Sequence, residues 1–177
     1  GAIAIGYQSC ISGQGAQSVA IGFQCGYSGV VQGAQSIAIG YQSGYSNQNA
    51  QAIAMGSQCG YAIQGTGAIA MGQSCGFTGQ NANAIAIGVA CGMFNQQSGA
   101  IAIGSYSGYT GQGTGAIAIG FFAGSTGQMS SAIAMGFSAG AFNQQTGAIA
   151  MGYLAGFTGQ GTGGIAIGTN SGYTGQG

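Results

Sequence analysis

The sequence predicts an all-β protein that winds as a parallel β-solenoid, with two short strands in each 16-residue coil. The first observation is that the segment AIAIG recurs with small changes along the whole chain. The second is that Ile alternates with Ala in this segment, and Ile and Val favour strands. The third is that 41 of the 177 residues are Gly, which disfavours helices. A coil this short cannot bury an apolar face alone, so stability must come from the stacking of coils.

A tandem repeat runs through residues 1–177. We number positions within each repeat from the first Ala of AIAIG, which is Ala2 in the first repeat. The spacing is 16 residues except for one interval of 18, where Val30 and Val31 are expected to form a two-residue insertion. Because neither end carries a capping unit, we expect one solenoid domain of 11 coils that belongs to a longer chain. The glycines that close the repeats at position 5 are Gly6, Gly22, Gly40, Gly56, Gly72, Gly88, Gly104, Gly120, Gly136, Gly152 and Gly168.

Each coil is expected to contain a first strand at positions 1–5, a bend, a second strand near positions 7–11 and a second bend. Equivalent strands would pair in parallel about 4.8 Å apart, so that 11 coils give a rod of about 50 Å. We expect Ile at positions 2 and 4, such as Ile53 and Ile69, to point into the core, with Met55 and Met71 replacing the second Ile. Ala at positions 1 and 3 would then face outward, and the small residue at position 8 inward.

Position 13 is Gln in every repeat, which predicts a column of amides along the rod. Such a column either forms an amide ladder along the axis or bonds the backbone of the turns. Both roles are structural, and neither implies catalysis. The column consists of Gln14, Gln32, Gln48, Gln64, Gln80, Gln96, Gln112, Gln128, Gln144, Gln160 and Gln176.

Position 10 carries an aromatic column. Among the residues that interrupt it, Met93 and Ala141 are each followed by a Phe, at Phe94 and Phe142. Stacked rings would form a structural ladder, and the alternative is a stripe that stacks a ligand or glycan. The members of the column are Tyr27, Tyr45, Tyr61, Phe77, Tyr109, Phe157 and Tyr173.

Three of the five cysteines, Cys59, Cys75 and Cys91, occupy position 8 of successive coils. We expect buried free thiols, because parallel Cβ vectors give poor disulfide geometry. One or two disulfides, involving Cys10 and Cys25, are the alternative. A metal site is not expected, because the chain lacks His and a linear column of thiols does not converge on one point.

The complete absence of Lys, Arg, Asp, Glu and His excludes several classes of function. Without a side-chain acid or base the chain is not expected to be an enzyme, and neither catalytic residues nor a cofactor are expected. Without a basic patch it is not expected to bind nucleic acid. Membrane insertion is not expected either, because polar residues or Gly interrupt every apolar run well before the length of about 20 that a spanning helix needs.

The AIAIG segment, followed by a small-residue strand, a Gly and a polar turn, resembles the head repeats of YadA-like trimeric autotransporter adhesins. It is also similar to AIAIG-type repeat arrays in viral fibre proteins. The resemblance implies a left-handed β-roll, a trimeric fibre and an adhesive role. We therefore expect a non-enzymatic structural segment of an extracellular, cell-surface or virion-surface fibre. Its partners would be copies of itself, in a trimer or filament, and a surface receptor or glycan.

An ice-binding solenoid is the alternative function. A flat, regular and uncharged face could match an ice lattice, and position 11 offers hydroxyl groups for it. Ala62, Phe94 and Phe142 interrupt this column. Its members are Ser12, Ser28, Ser46, Thr78, Thr110, Thr126, Thr158 and Thr174.

Overall fold

The computed structural model describes residues 1–27 and 32–175 and has the predicted fold class, a parallel β-solenoid. No helix occurs in either of these ranges. Successive strands of the solenoid are spaced by 16 residues over most of the chain. The expected insertion at Val30 and Val31, together with Ser28 and Gln176, lies outside the described residues.

The AIAIG segments form one sheet of 11 parallel strands, one from each repeat. The pairing is in register, so that Ile69 lies beside Ile85 and Ala70 beside Ala86. Identical positions of the repeat therefore form straight columns along the rod. The strands are β1 (Ile3–Ile5), β2 (Val19–Ile21), β3 (Ile37–Ile39), β5 (Ile53–Ser57), β7 (Ile69–Gln73), β9 (Ile85–Val89), β11 (Ile101–Ser105), β12 (Ile117–Ile119), β13 (Ile133–Met135), β14 (Ile149–Met151) and β15 (Ile165–Ile167).

A second, smaller parallel sheet lies at positions 11–13 of the middle coils. Isolated bridges such as Phe94 to Thr110 and Thr110 to Thr126 continue its line toward the C-terminus. The expectation of a strand near positions 7–11 is wrong, because positions 7 and 9 adopt positive φ, as at Gln58 (56°) and Gly60 (53°). Two such residues turn the chain sharply. The strands are β4 (Ser46–Gln48), β6 (Ala62–Gln64), β8 (Thr78–Gln80) and β10 (Phe94–Gln96), in the order β10-β8-β6-β4.

The interior of the solenoid is lined by Ala rather than Ile, so the expected orientation of the large sheet is wrong. Ala52 and Ala54, at positions 1 and 3, are fully buried, whereas Ile53 between them is only half-buried. The interior is thin, because the glutamine side chain of position 13 crosses it to reach the opposite strand. A methyl group fits beneath that amide and a branched four-carbon side chain does not. The expectation that position 8 faces inward is confirmed, as Cys59 and Ser43 are fully buried.

The glycine at position 5 permits the close stacking of coils. Gly56 has a φ of 122°, and a Cβ atom on it would lie 1.8 Å from the carbonyl oxygen of Gly72 in the next coil. No side chain can be accommodated at that distance. The invariant glycine that closes each AIAIG segment therefore follows from backbone contact between neighbouring coils.

Candidate functional site

The glutamines of position 13 form a buried ladder along the rod. In a representative coil, Gln64 Nε2 donates to the carbonyl oxygen of Ile53 at 2.7 Å and to Oε1 of Gln80 at 3.2 Å. Each amide thus bonds both along the axis and across the interior. No buried side-chain nitrogen or oxygen in residues 1–27 and 32–175 lacks a partner. The ladder runs through Gln32, Gln48, Gln64, Gln80, Gln96, Gln112, Gln128, Gln144 and Gln160.

The first coil ends the ladder in a different way. Its position 9 is Cys10 instead of Gly, with a φ of 55°. The Cys10 thiol donates to Oε1 of Gln32 at 3.2 Å, in the place where another glutamine amide would donate. Gln14 is only half-buried and donates to the carbonyl oxygen of Ile3. Cys10 therefore supplies the hydrogen bond that Gln14 does not make.

The other cysteines lie in the core as free thiols. Cys25, Cys59, Cys75 and Cys91 are fully buried, and all five thiols including that of Cys10 are free. The Sγ atoms of Cys75 and Cys91 are 2.7 Å apart. The hydrogen bond with Cys75 and burial raise the pKa of both Cys59 and Cys91. Cys59 and Cys91 are therefore neutral, whereas the same hydrogen bonds lower the pKa of Cys75. Nothing in the described ranges groups three or more His, Cys, Asp or Glu residues as a metal site would.

The aromatic rings of position 10 stack along one edge of the rod. Tyr45 lies 5.2 Å from Tyr27 and 4.8 Å from Tyr61, measured between ring centroids, and Tyr61 lies 4.8 Å from Phe77. Toward the C-terminus, Phe157 and Tyr173 stack at 5.1 Å.

A neighbouring ring bridges the interruption of this column at Met93, whereas Ser125 at position 10 of the eighth coil interrupts it without an adjacent Phe. The ring of Phe94 at position 11 stands edge-on between Phe77 and Tyr109, at 6.4 and 5.6 Å. Phe142 meets Phe157 edge-on at 5.3 Å in the same way. The rings of the column thus contact each other across Met93, and Phe142 fills the place beside Ala141.

A second aromatic column, which is not among the predicted columns, lies at position 6. The signal was an aromatic residue directly after the closing Gly in six of the 11 repeats. The rings stack in two groups at 5.2 to 5.5 Å. Four middle coils, in which the strands of the large sheet are five residues long, separate the groups. The groups are Tyr7, Phe23 and Tyr41, and Phe121, Phe137 and Tyr153.

The outer face of the large sheet is a continuous apolar surface, which we call the apolar face. It consists of the Ile, Val and Met residues at positions 2 and 4 of the repeat, which lie in β1–β3, β5, β7, β9 and β11–β15. Exposure at position 4 is substantial, with Ile87 at 38% and Ile103 at 36%. The chain has no charged side chain to interrupt this face.

Hydroxyl groups lie in two columns. Position 11 is mixed, with Thr110 and Thr158 half-buried and Thr126 exposed, and the hydroxyl of Thr158 donates to the carbonyl oxygen of Tyr173 at 3.3 Å. At position 15, which is not among the predicted columns, five consecutive coils expose a hydroxyl at a turn. These residues are Ser98, Thr114, Ser130, Thr146 and Thr162.

Comparison with known proteins gives no relative: no protein-family model, curated protein or solved structure matches the chain. Among the residues that the structure describes, no helix is long and apolar enough to cross a membrane. The features of this molecule that bear on function are therefore the apolar face, the aromatic columns and the chemistry of the surface.

Proposed function

We propose that the chain is a non-enzymatic structural module of an extracellular or virion-surface fibre, and that copies of it associate side by side through the apolar face. The observation that carries this proposal is the continuous, uncharged surface of Ile and Met on the 11-stranded sheet. The rod offers Tyr and Cys as its only titratable side chains, and the described cysteines are buried. Such a surface suits assembly and offers no base for catalysis.

The size of the apolar face supports self-association. Eleven strands at about 4.8 Å make it about 50 Å long, and two columns of side chains make it about 12 Å wide. The resulting area of about 600 Å² lies at the upper end of the patches that monomeric proteins expose. Two such faces in contact would bury about 1,200 Å², the lower end of the range for specific interfaces. Straight columns of identical residues also favour a pairing that repeats along the rod.

Sedimentation velocity between 1 and 100 µM tests this proposal. We expect a discrete oligomer or a growing filament, and the mass separates a trimer from open assembly. The triple variant Met71→Gln, Ile87→Gln and Ile103→Gln places amides on the apolar face without altering the interior. It should weaken association at least 10-fold, because the amides must be desolvated on contact.

The matched control changes three exposed residues of the turn edge to the same side chain, as Thr114→Gln, Ser130→Gln and Thr146→Gln. This control should associate as the natural protein does. A natural protein that stays monomeric at 100 µM, or a control that dissociates as much as the triple variant, would contradict assembly through the apolar face.

Ice binding is a second candidate function, favoured by the exposed hydroxyls of position 15. They recur in five consecutive coils on an uncharged and regular edge. Thermal hysteresis at about 1 mM protein tests it directly. Loss of hysteresis in the variant Thr114→Lys with Thr146→Lys would support ice binding at this edge, and absence of hysteresis in the natural protein would exclude it.

A further inference from the structure

A cleft of about 290 Å³ opens on the surface of the middle coils, between the two aromatic columns. Its walls include Gln73, Ser74, Ala90, Tyr106 and Tyr109. Gln73, Ser74 and Ala90 come from positions 6 and 7 of two adjacent coils, and Tyr106 and Tyr109 from the next coil. The cleft lies within the stretch where position 6 carries no aromatic ring.

The cleft exists because two coils lack bulky side chains at position 7. That position holds Gln58 before the cleft and Tyr106 after it, but only Ser74 and Ala90 in between. Position 10 also loses its ring there, because Met93 replaces the aromatic residue. The gap therefore results from small residues at a position where neighbouring coils carry long ones.

One aromatic surface faces this gap. The ring of Tyr106 stacks on Phe122 of the following coil at 5.0 Å, with an interplanar angle of 17°. Its opposite face must then point toward the preceding coil, where Ala90 contributes only a methyl group. Tyr109 approaches from the side at 5.6 Å with a tilt of 53°. Tyr106 is 37% exposed, so the end of this ring stack is open to a ligand.

The rim of the cleft carries neutral hydrogen-bonding groups. They are the amide of Gln73, the hydroxyl of Ser74 and the phenols of Tyr106 and Tyr109. No charged side chain exists in the chain to pair with an ionic ligand. An apolar ring face beside a few neutral donors and acceptors is typical of sites for small, uncharged ligands that are partly apolar.

We propose that the cleft binds a neutral saccharide, with one pyranose ring stacked on the free face of Tyr106. The C–H groups of the sugar would contact the aromatic ring, and its hydroxyls would bond Gln73 and Ser74. This saccharide site rests on the proposed fibre function and would give the fibre a ligand. Sugar binding depends on Tyr106 and Ala90, whereas association of copies depends on the Ile and Met of the apolar face.

Two-dimensional ¹H–¹³C NMR of the tyrosine rings tests the proposal with three probes, cellobiose, lactose and N,N′-diacetylchitobiose, each titrated to 20 mM. We expect at least one probe to shift the Tyr106 ring signals, with a dissociation constant of about 1 mM, the strength expected of a small open site. Tyr106→Ala should remove that binding. No shift at Tyr106 with any of the three sugars would overturn the proposal.

The variant Ala90→Tyr fills the cleft with a ring and keeps Tyr106 in place. The backbone at position 7 accepts aromatic residues, because Tyr106 and Phe122 adopt φ values of 57° and 56° there, close to the 50° of Ala90. We expect Ala90→Tyr to weaken sugar binding at least 10-fold. Unchanged binding in this variant would contradict a site between Ala90 and Tyr106.

The matched control is Ser138→Tyr, which adds the same ring at position 7 three coils away, at a φ of 50°. It should bind sugar as the natural protein does, and both variants should retain the natural thermal midpoint. Sedimentation of the same samples separates the two proposals. If Ala90→Tyr abolishes association as well as sugar binding, the cleft belongs to the interface between copies and the saccharide site is overturned.

Discussion

At the scale of single residues, the defining feature is a large polar side chain in a core of small ones. The glutamine at position 13 is fully buried in most coils, yet each amide has partners along the rod and across it. A buried amide is tolerated only when its hydrogen bonds are made, and its removal leaves its partners unpaired. The ladder should therefore contribute strongly to stability.

We expect Gln96→Met to destabilise the protein by about 3 kcal/mol. Met has a similar volume but leaves the carbonyl oxygen of Ile85 and Oε1 of Gln112 without the donor that Gln96 supplies. Urea unfolding followed by circular dichroism measures the change. The neighbour Gln97 is exposed, and Gln97→Met should alter stability by less than about 0.5 kcal/mol. Equal losses in the two variants would refute a role for the ladder.

Position 7 adopts a left-handed backbone conformation without being glycine in any repeat. At Ala90, where φ is 50°, the side chain is a single methyl group, so that little else changes on its removal. We expect Ala90→Gly to stabilise the protein by about 0.5–1 kcal/mol by relieving this conformation. Ala86→Gly, in β9 with its methyl buried in the core, should destabilise instead. Differential scanning calorimetry of the pair checks the opposite signs.

At the scale of elements, neighbouring coils are held at a distance that only glycine permits. In β7, Gly72 has a φ of 124°, and a Cβ atom there would lie 1.9 Å from the carbonyl oxygen of Gly88. The strands of the large sheet can pair in register only while this contact stays free of side chains. The close stacking of coils therefore requires glycine at position 5 of each repeat.

Gly72→Ala should destabilise the protein by about 4 kcal/mol or more, because two coils must separate to admit the methyl group. Gly99→Ala is the control, since Gly99 has a φ of 67° and nothing lies within 4 Å of its Cβ direction. That substitution should change stability by only about 1 kcal/mol. The denaturation midpoints of the two variants in guanidinium chloride measure the difference. If Gly72→Ala is no more harmful than Gly99→Ala, contact between coils does not explain the glycine column.

At the scale of the whole molecule, stability should depend on pH only at the alkaline end. The chain has no Asp, Glu or His, so no carboxylate or imidazole changes charge between about pH 3 and pH 8. The hydrogen bonds with Cys59 and Cys91 lower the pKa of Cys75, but the chain has no cation to pair with a buried thiolate, so we expect Cys75 to stay protonated over this range as well. Burial raises the pKa of Cys10 and Cys25, as the hydrogen bond with Cys75 and burial do for Cys59 and Cys91. A thiol with a raised pKa in the folded state ionises first in the unfolded state, so stability is lost as pH rises above the ordinary thiol pKa.

We therefore expect the free energy of unfolding to be constant from pH 3 to pH 8 and to fall above about pH 9. At pH 10 the loss should be about 1–2 kcal/mol for each of Cys59 and Cys91, whose thiols are fully buried. Urea titrations at pH 4, 7 and 10 under reducing conditions measure it. The variant Cys59→Ala with Cys91→Ala should reduce the alkaline loss. Acid unfolding between pH 3 and pH 5 would contradict this account.

Much of this architecture follows from the repeat alone. Because one residue type recurs at 16-residue intervals, parallel stacking turns each position into a column, and the rings of position 10 and the glutamines of position 13 could be placed before the structure was known. The position 6 column and the cleft beside Tyr106 were harder to foresee. They depend on which neighbouring coils carry small side chains at the same surface, a comparison across coils rather than along the chain.

The sequence by itself determined the fold class, the coil length and the parallel stacking, because tandem repeats of nearly the same 16-residue sequence can pack in few other ways. Only the tertiary structure decided which face of the large sheet lies inside. An alternation of Ile and Ala has the same period whichever set is buried, so the pattern alone does not choose between the two faces. Hydropathy would place Ile inside. The glutamine side chain leaves room for no more than methyl groups opposite it, and this limit of space places Ala in the core and the Ile and Met of the apolar face on the surface.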